Sequence, residues 1–297
     1  MHATAPSLTG NTISFTMRYA VKRARFASTL LGGGRPIVTY AAYRTASTAI
    51  HHAIRRASFS TTVKAHMLAP VNMVARVRDR HAFSDASANI PVSCHVGDWA
   101  VRLGIIEPQR AADFVIPIRD PWSVASSIFV LMAPKLDPLF ASMPSALSAD
   151  ERAQRVDRAE AIIFGAFPRE LMSRWIRDDV APALAWNPLE HSFDRERGAS
   201  DYTHGPWRIQ MLRVDLSDER KSLELQQFLH RPRIRVIAKN SSVSFGQHRS
   251  AIALIAREAI GRRSESVRAL LDDPVCRHYW SDADLARMTA KWSAVSV

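Results

Sequence analysis

Residues 36–57, PIVTYAAYRTASTAIHHAIRRA, pass from an apolar run through a polar turn into a helix-like run that ends in two arginines. Ile37 to Ala41 has the β-branched and aromatic content of a buried strand. The turn that follows, Tyr43-Arg44-Thr45-Ala46-Ser47-Thr48, holds one cation and several hydroxyls but no acid. With a strand entering and a helix leaving, the N–H groups of residues 44–48 converge on a helix N-terminus, where the dipole favours an anion. Arg44 adds a full positive charge, and Thr45, Ser47 and Thr48 add hydroxyl donors. A capped helix beside a solvated arginine is the plainer account of the same residues. The turn lacks the GxxxxGK[ST] pattern, which counts against a nucleoside triphosphatase.

Outward from this stretch, short β-rich runs alternate with longer helical ones. The periodicity predicts strands at Ile37–Ala41, Thr61–Ala65, Phe114–Ile118, Ile209–Leu212 and Ile234–Ala238. It predicts helices near 46–57, 96–103, 122–133, 151–166, 168–184, 218–229, 248–260, 264–271 and 281–293. This alternation implies an α/β fold with a mostly parallel central sheet flanked by helices. Ligands in such folds bind beyond the carboxyl ends of the strands, which is where each polar turn of interest falls.

A chain of 297 residues can bury one large core, and no mid-chain linker divides it. Residues 1–34 read as a basic, Ser/Thr-rich flexible arm ending in Gly32-Gly33-Gly34, and 35–297 as the domain proper. The arm's lack of acids also fits a mitochondrial transit peptide. No run approaches the ~18 apolar residues of a membrane span. The two cysteines, Cys94 and Cys276, stand in no metal-ligand spacing, and no HExxH pairing occurs among the histidines. The expectation is buried thiols in a reducing cytosol, a cytoplasmic protein and no metal.

The net charge of +12 is unevenly placed. Residues 1–78 hold eleven Lys or Arg and no acid, the first being Asp79, whereas the remaining 219 hold 29 basic and 28 acidic groups. A basic quarter implies an anionic partner: nucleic acid, a membrane surface or a small polyanion.

Two further turns bear on that choice. In TTVKAHMLAP (61–70), Lys64 and His66 are two apart, so strand alternation points a cation and an imidazole the same way. In FVIPIRDPWSVASSIFV (114–130), Asp120 suits an N-cap and Pro121 the first helical position, while Arg119 and Ser127, eight apart, can approach one phosphate from two sides.

Taken in order, the three turns resemble those of sulfotransferases that use 3′-phosphoadenosine 5′-phosphosulfate. YRTAST is similar to the loop that cradles the 5′-phosphosulfate, with Ala46 where that loop carries glycine. KAHML is similar to the strand end that supplies a cation and the catalytic base, matched here by Lys64 and His66. RDPWSVASS matches the element that binds the 3′-phosphate, through Arg119 and Ser127. Within that superfamily the chain most resembles bacterial capsular polysaccharide synthesis proteins. RWIRDDVAPAL, SFDRERGASDY, IQMLRVDLSD, QQFL, AKNSS and CRHYWSDADLARMTAKW carry that likeness across about residues 35–295.

The resemblance implies a sulfotransferase-like, P-loop-NTPase-like architecture and transfer of a sulfuryl group to a hydroxyl, with a carbohydrate as acceptor. His66, Lys64 and Arg44 would be catalytic. Tyr43, Arg44, Thr45, Ala46, Ser47, Thr48, Arg119 and Ser127 would hold the nucleotide donor. Trp99, Trp175, Trp186, Trp207 and Tyr202 are candidates for stacking on sugar rings, with a place in the core as the alternative. Two other readings stay open. One is a sulfotransferase fold that binds without transferring, for which the replacement of the loop glycine by Ala46 is the best support. The other, ranked lower, is a nucleic-acid-binding protein using the basic quarter, although no zinc finger, RNP motif or helix-turn-helix is evident.

Overall fold

The structure is a computed structural model; it describes residues 26, 28, 32–42, 45–57, 61–72, 92–144, 147–166, 171–237 and 246–293. Five strands form one sheet in the order β2-β1-β3-β5-β4. They are β1 (Ile37–Tyr40), β2 (Thr62–Ala65), β3 (Ala112–Ile118), β4 (Ala199–His204) and β5 (Trp207–Arg213). β1 lies parallel to both β2 and β3, and β3 is parallel to β5. β4 pairs antiparallel with β5 along the edge. The α/β class and the mostly parallel sheet expected from the sequence are therefore present.

Alternation along β1 divides the core between the two faces of the sheet. Ile37 joins a smaller cluster with Ile50, Ile54, Val115, Leu212, Leu225 and Phe228, built under helices α1 (Ser47–Ala57) and α7 (Asp218–Leu229). Val38 and Tyr40 face the larger cluster, which α2 (Val92–Val101), α3 (Pro121–Leu136), α4 (Ala149–Ala166), α5 (Leu171–Trp175), α6 (Ala181–Leu184) and helices α8 (Gln247–Gly261) to α11 (Asp282–Ser293) help to cover. Between them lie α9 (Ser264–Leu271) and α10 (Pro274–Tyr279). Phe26 is also buried in the larger cluster. Buried on both faces, β1 and β3 are almost wholly apolar, as strands of a covered parallel sheet must be.

The connection from β1 to β2 crosses one face through α1, and the return to β3 crosses the other through α2. The carboxyl ends of β1 and β3 thus flank the point where strand order reverses, the usual crevice for a ligand in this architecture. At the opposite rim, Asp113 is buried between two arginines. It accepts from Arg35 Nε at 2.5 Å and from Arg208 Nε and Nη2 at 2.9 and 2.8 Å. This triad ties the amino ends of β1, β3 and β5 together.

Two differences from the sequence reading concern the sheet. The antiparallel β4 was not foreseen, because ASDYTH lacks the apolar repeat of a buried strand; its outer positions Asp201 and Thr203 are exposed. Gly205, at φ 55, supplies the positive φ for the two-residue turn that closes the hairpin between His204 and Trp207. The second difference is 234–237, which alternates burial like a strand yet joins no sheet. Its backbone is satisfied by α7 instead: Gln226 Nε2 donates to Ile234 O at 2.8 Å and Val236 N donates to Ser222 Oγ at 2.8 Å. Ala238 lies outside the described residues.

Candidate functional site

The first loop enters α1 through a strained residue. Ala46 has φ 54, in the left-handed region, and its carbonyl accepts from Ala49 N at 3.0 Å and Ile50 N at 3.3 Å. Ser47 and Thr48 thus present N–H groups that precede the helical ladder, at the positive end of the dipole and with no acid in the first turn. Thr45 is buried and donates its hydroxyl proton to Ala42 O at 2.8 Å, so it braces the turn. Ser47 is buried as well. Tyr43 and Arg44 lie outside the described residues.

Lys64 of β2 reaches this loop. Its Nζ donates to Thr48 Oγ1 at 3.0 Å, which occupies a lone pair of the hydroxyl and leaves its proton available to donate. His66, one residue past β2, is buried, and its Nδ1 lies 2.6 Å from Ala41 O. A carbonyl can only accept, so Nδ1 carries a proton, and it is the Nδ1–H tautomer that places a lone pair on Nε2. The structure therefore joins Thr48 to Lys64 and sets His66 on the end of β1.

The backbone around His66 is held from several sides. His66 N donates to Asp98 Oδ1 at 2.6 Å, and His66 O accepts from Trp175 Nε1 at 2.9 Å. Tyr40 OH donates to the Asp179 carboxylate, which also accepts from Leu68 N at 2.8 Å and from Asn72 Nδ2 at 2.7 Å. Burial raises the Asp179 carboxyl above its ordinary range, against the lowering pull of those donors. Burial, followed by the charge of Asp179, drives the Tyr40 phenol well above its usual value.

Asp98 and Trp175, partners of His66, and Asp179, partner of Leu68, were not singled out from the sequence for these contacts. A carboxylate four residues after Trp175 on one helical face was the available signal, since a buried acid needs donors. Gly97 carries a related constraint. A Cβ there would lie 2.4 Å from Lys64 O, so only glycine lets α2 approach β2 closely enough for this bonding.

The third turn lies beside the first. Val115 of β3 is opposite Thr39 of β1, and Arg119 follows β3 directly. Arg119 is half-buried, and desolvation lowers its guanidinium pKa against the raising effect of Asp120. Asp120 is the N-cap that the sequence implied, accepting from Ser123 N at 2.8 Å, with Pro121 opening α3. It also accepts from Trp292 Nε1 at 3.2 Å, which docks the last helix. Ser127 is half-buried, near the middle of α3.

A cavity of about 240 Å³ opens beyond β3 and β5, lined by Asp120, Asp215, Asp284, Arg287, Met288 and Lys291. Its acids are committed to structure. Buried Arg213 donates to Asp284 Oδ2 at 2.7 Å and to Asp215 Oδ2 at 2.5 Å. Of the aromatic candidates, Trp175, Trp186 and Trp207 are core residues, Trp99 is 41% exposed and Tyr202 is half-buried. No group of three His, Cys, Asp or Glu side chains among the described residues is arranged to hold a metal ion. Nor, among those residues, is any helix long and apolar enough to cross a membrane. Cys276 is buried, as expected, and burial raises its thiol pKa; the Cys94 side chain lies outside the described residues. Compared with protein-family models, curated proteins and solved structures, the chain matches none of them.

Proposed function

We propose that the protein is a sulfotransferase that moves a sulfuryl group from 3′-phosphoadenosine 5′-phosphosulfate to a hydroxyl, with a carbohydrate as acceptor. The observation that carries this reading is the contact between Lys64 and Thr48, which sets a cation against a hydroxyl-bearing helix N-terminus at the carboxyl edge of a parallel sheet. These donors suit a phosphosulfate: N–H groups ahead of the helical ladder, one hydroxyl proton and an ammonium, with no acid in the first turn of α1. Arg44 adds to them in this reading. Arg119 and Ser127, one strand over, hold the 3′-phosphate, the group that separates this donor from an ordinary adenylate.

The donor supplies a sulfuryl group whose bond to the 5′-phosphate breaks as the acceptor oxygen attacks. The protein's part is placement and charge stabilisation. Nε2 of His66 takes the acceptor's proton, and the hydrogen bond from Nδ1 to Ala41 O keeps the ring in the tautomer for that task. Lys64 stabilises the negative charge that develops on the leaving phosphate.

Titration with 3′-phosphoadenosine 5′-phosphate, followed by calorimetry, tests the reading. Losing a charge-assisted contact costs roughly 1.5–3 kcal/mol, so Arg119→Ala is expected to weaken the nucleotide about ten- to a hundredfold. Equal affinity in that variant, or no binding by the intact protein, contradicts the assignment. A second reading, a binding protein of the same fold without transfer, is favoured by Ala46: its methyl group stands in the loop at a left-handed φ where glycine is the ordinary residue. Nucleotide binding without transfer of labelled sulfate to bacterial glycans would select it.

A further inference from the structure

Two short π-helical segments interrupt the helices around the sheet, Arg102–Ile106 after α2 and Ile176–Val180 between α5 and α6. A π turn spends an extra residue and is found disproportionately at functional sites. The two segments are far apart in the chain, yet each sends a polar side chain to the backbone of the same residue, one to each of the peptide groups that flank its Cα. Arg102 Nη1 donates to Leu68 O at 2.8 Å, and Asp179 Oδ1 accepts from Leu68 N at 2.8 Å.

Leu68 is fully buried and lies in the loop beyond β2, outside any helix or strand, so its N–H and C=O take side-chain partners in place of a ladder. The grip extends along the loop. Asp179 Oδ2 accepts from Asn72 Nδ2 at 2.7 Å, and Trp175, one residue before the second π segment, donates to His66 O at 2.9 Å. Arg102 is itself held by Glu107, its Nε donating to Oε1 at 3.0 Å. Two residues before Leu68 stands His66, its ring tied to Ala41 O.

We propose that Arg102 and Asp179 are positioning residues that fix the His66 imidazole by clamping the backbone on both sides of Leu68 between the two π segments. Their importance for catalysis rests on the reading of His66 as the proton acceptor; their hold on the ring does not. A purely local brace would leave the ring's hydrogen bond to Ala41 untouched when one partner is removed.

The test therefore reads the ring directly. In ¹⁵N-labelled protein, the His66 Nδ1 proton is expected to be protected from solvent exchange. Exchange should be at least about tenfold faster in Arg102→Met and in Asp179→Leu, which removes the acceptor for Leu68 N, while both variants keep a cooperative melt and bind 3′-phosphoadenosine 5′-phosphate within about twofold of the parent. Arg102→Lys, which can still donate to Leu68 O, should restore most of the protection. If Asp179→Leu does not fold, Arg102→Met and its lysine rescue decide alone. Unchanged Nδ1 exchange in a folded Arg102→Met variant overturns the clamp, whatever the activity. Sulfuryl transfer is measured in parallel, with kcat expected to fall about tenfold at unchanged KM for the nucleotide. Altered exchange in a protein that neither binds nucleotide nor transfers sulfate keeps the clamp and removes the sulfotransferase reading.

Discussion

Lys64 Nζ and Thr48 Oγ1 meet at 3.0 Å, which joins the end of β2 to the first turn of α1 across the carboxyl edge of the sheet. In the proposed function Thr48, in the first turn, and Lys64, near the end of β2, face the same end of the donor. If they share one phosphate-like ligand, Lys64→Met should weaken 3′-phosphoadenosine 5′-phosphate by about 1.5–3 kcal/mol, a ten- to hundredfold rise in Kd. Thr48→Val should cost less, about 0.5–1.5 kcal/mol for one neutral hydrogen bond. Calorimetry at fixed ionic strength measures both, and equal losses from the two substitutions would count against the charge assigned to Lys64.

Ala46 at φ 54 sits where an L-residue costs roughly 1–2 kcal/mol relative to glycine. Ala46→Gly should therefore stabilise the fold by about 0.5–1 kcal/mol, the greater freedom of glycine in the unfolded chain taking back part of the relief. Removing the methyl should leave nucleotide affinity equal or improved. Urea midpoints give the first quantity; a lower midpoint would mean that the loop does not hold this conformation in solution.

Gly97→Ala should destabilise the protein. The added methyl would lie 2.4 Å from Lys64 O, a backbone atom that cannot yield without moving β2. Overpacking of this kind costs about 1–3 kcal/mol, more than the ~1 kcal/mol that alanine gains over glycine in a helix. The shift should also loosen the bond from His66 N to Asp98, so amide exchange at His66 is the sensitive readout. A stabilised variant with unchanged exchange would refute the close approach.

Acid should expose the role of Asp284. Burial alone would raise its carboxyl, but hydrogen bonds from Arg213 and Ser281 more than offset this and hold it at about 2, against the ordinary 3.8. A carboxyl with a depressed folded value contributes stability above its unfolded pKa and loses it as pH falls through the folded one. The protein should thus lose about 2 kcal/mol between roughly pH 4 and pH 2 on this account. Asp284→Asn should flatten that part of the stability profile. An unchanged slope in the variant would mean that Arg213 does not distinguish the charged from the neutral carboxyl.

The sequence was most legible where burial imposes a simple pattern. β1 and β3 are largely apolar runs covered on both faces, and the start of α3 follows from Asp120 and Pro121. β4 escaped because an edge strand open to solvent keeps a polar alternation. Residues 234–237 misled because alternating burial against a helix looks the same as alternating burial in a sheet. The first strand, turn and helix start could be delimited locally, since they are contiguous in the chain. The partners of the His66 loop could not: Asp98 and Asp179 are 32 residues from His66 and 111 from Leu68 respectively, and which peptide a distant carboxylate satisfies is decided by packing.

The ion triad of Arg35, Asp113 and Arg208 also sets a timetable for synthesis. β5, which covers one side of β3, arrives with Arg208, 95 residues after Asp113. At ribosomal speeds of about 5–20 residues per second, that interval is roughly 5 to 20 s. Throughout it the nascent chain carries β3 with an open flank and an aspartate that has only one of its two arginine partners, so the sheet closes only late in translation and the growing polypeptide is most exposed to mispairing just before Trp207 emerges.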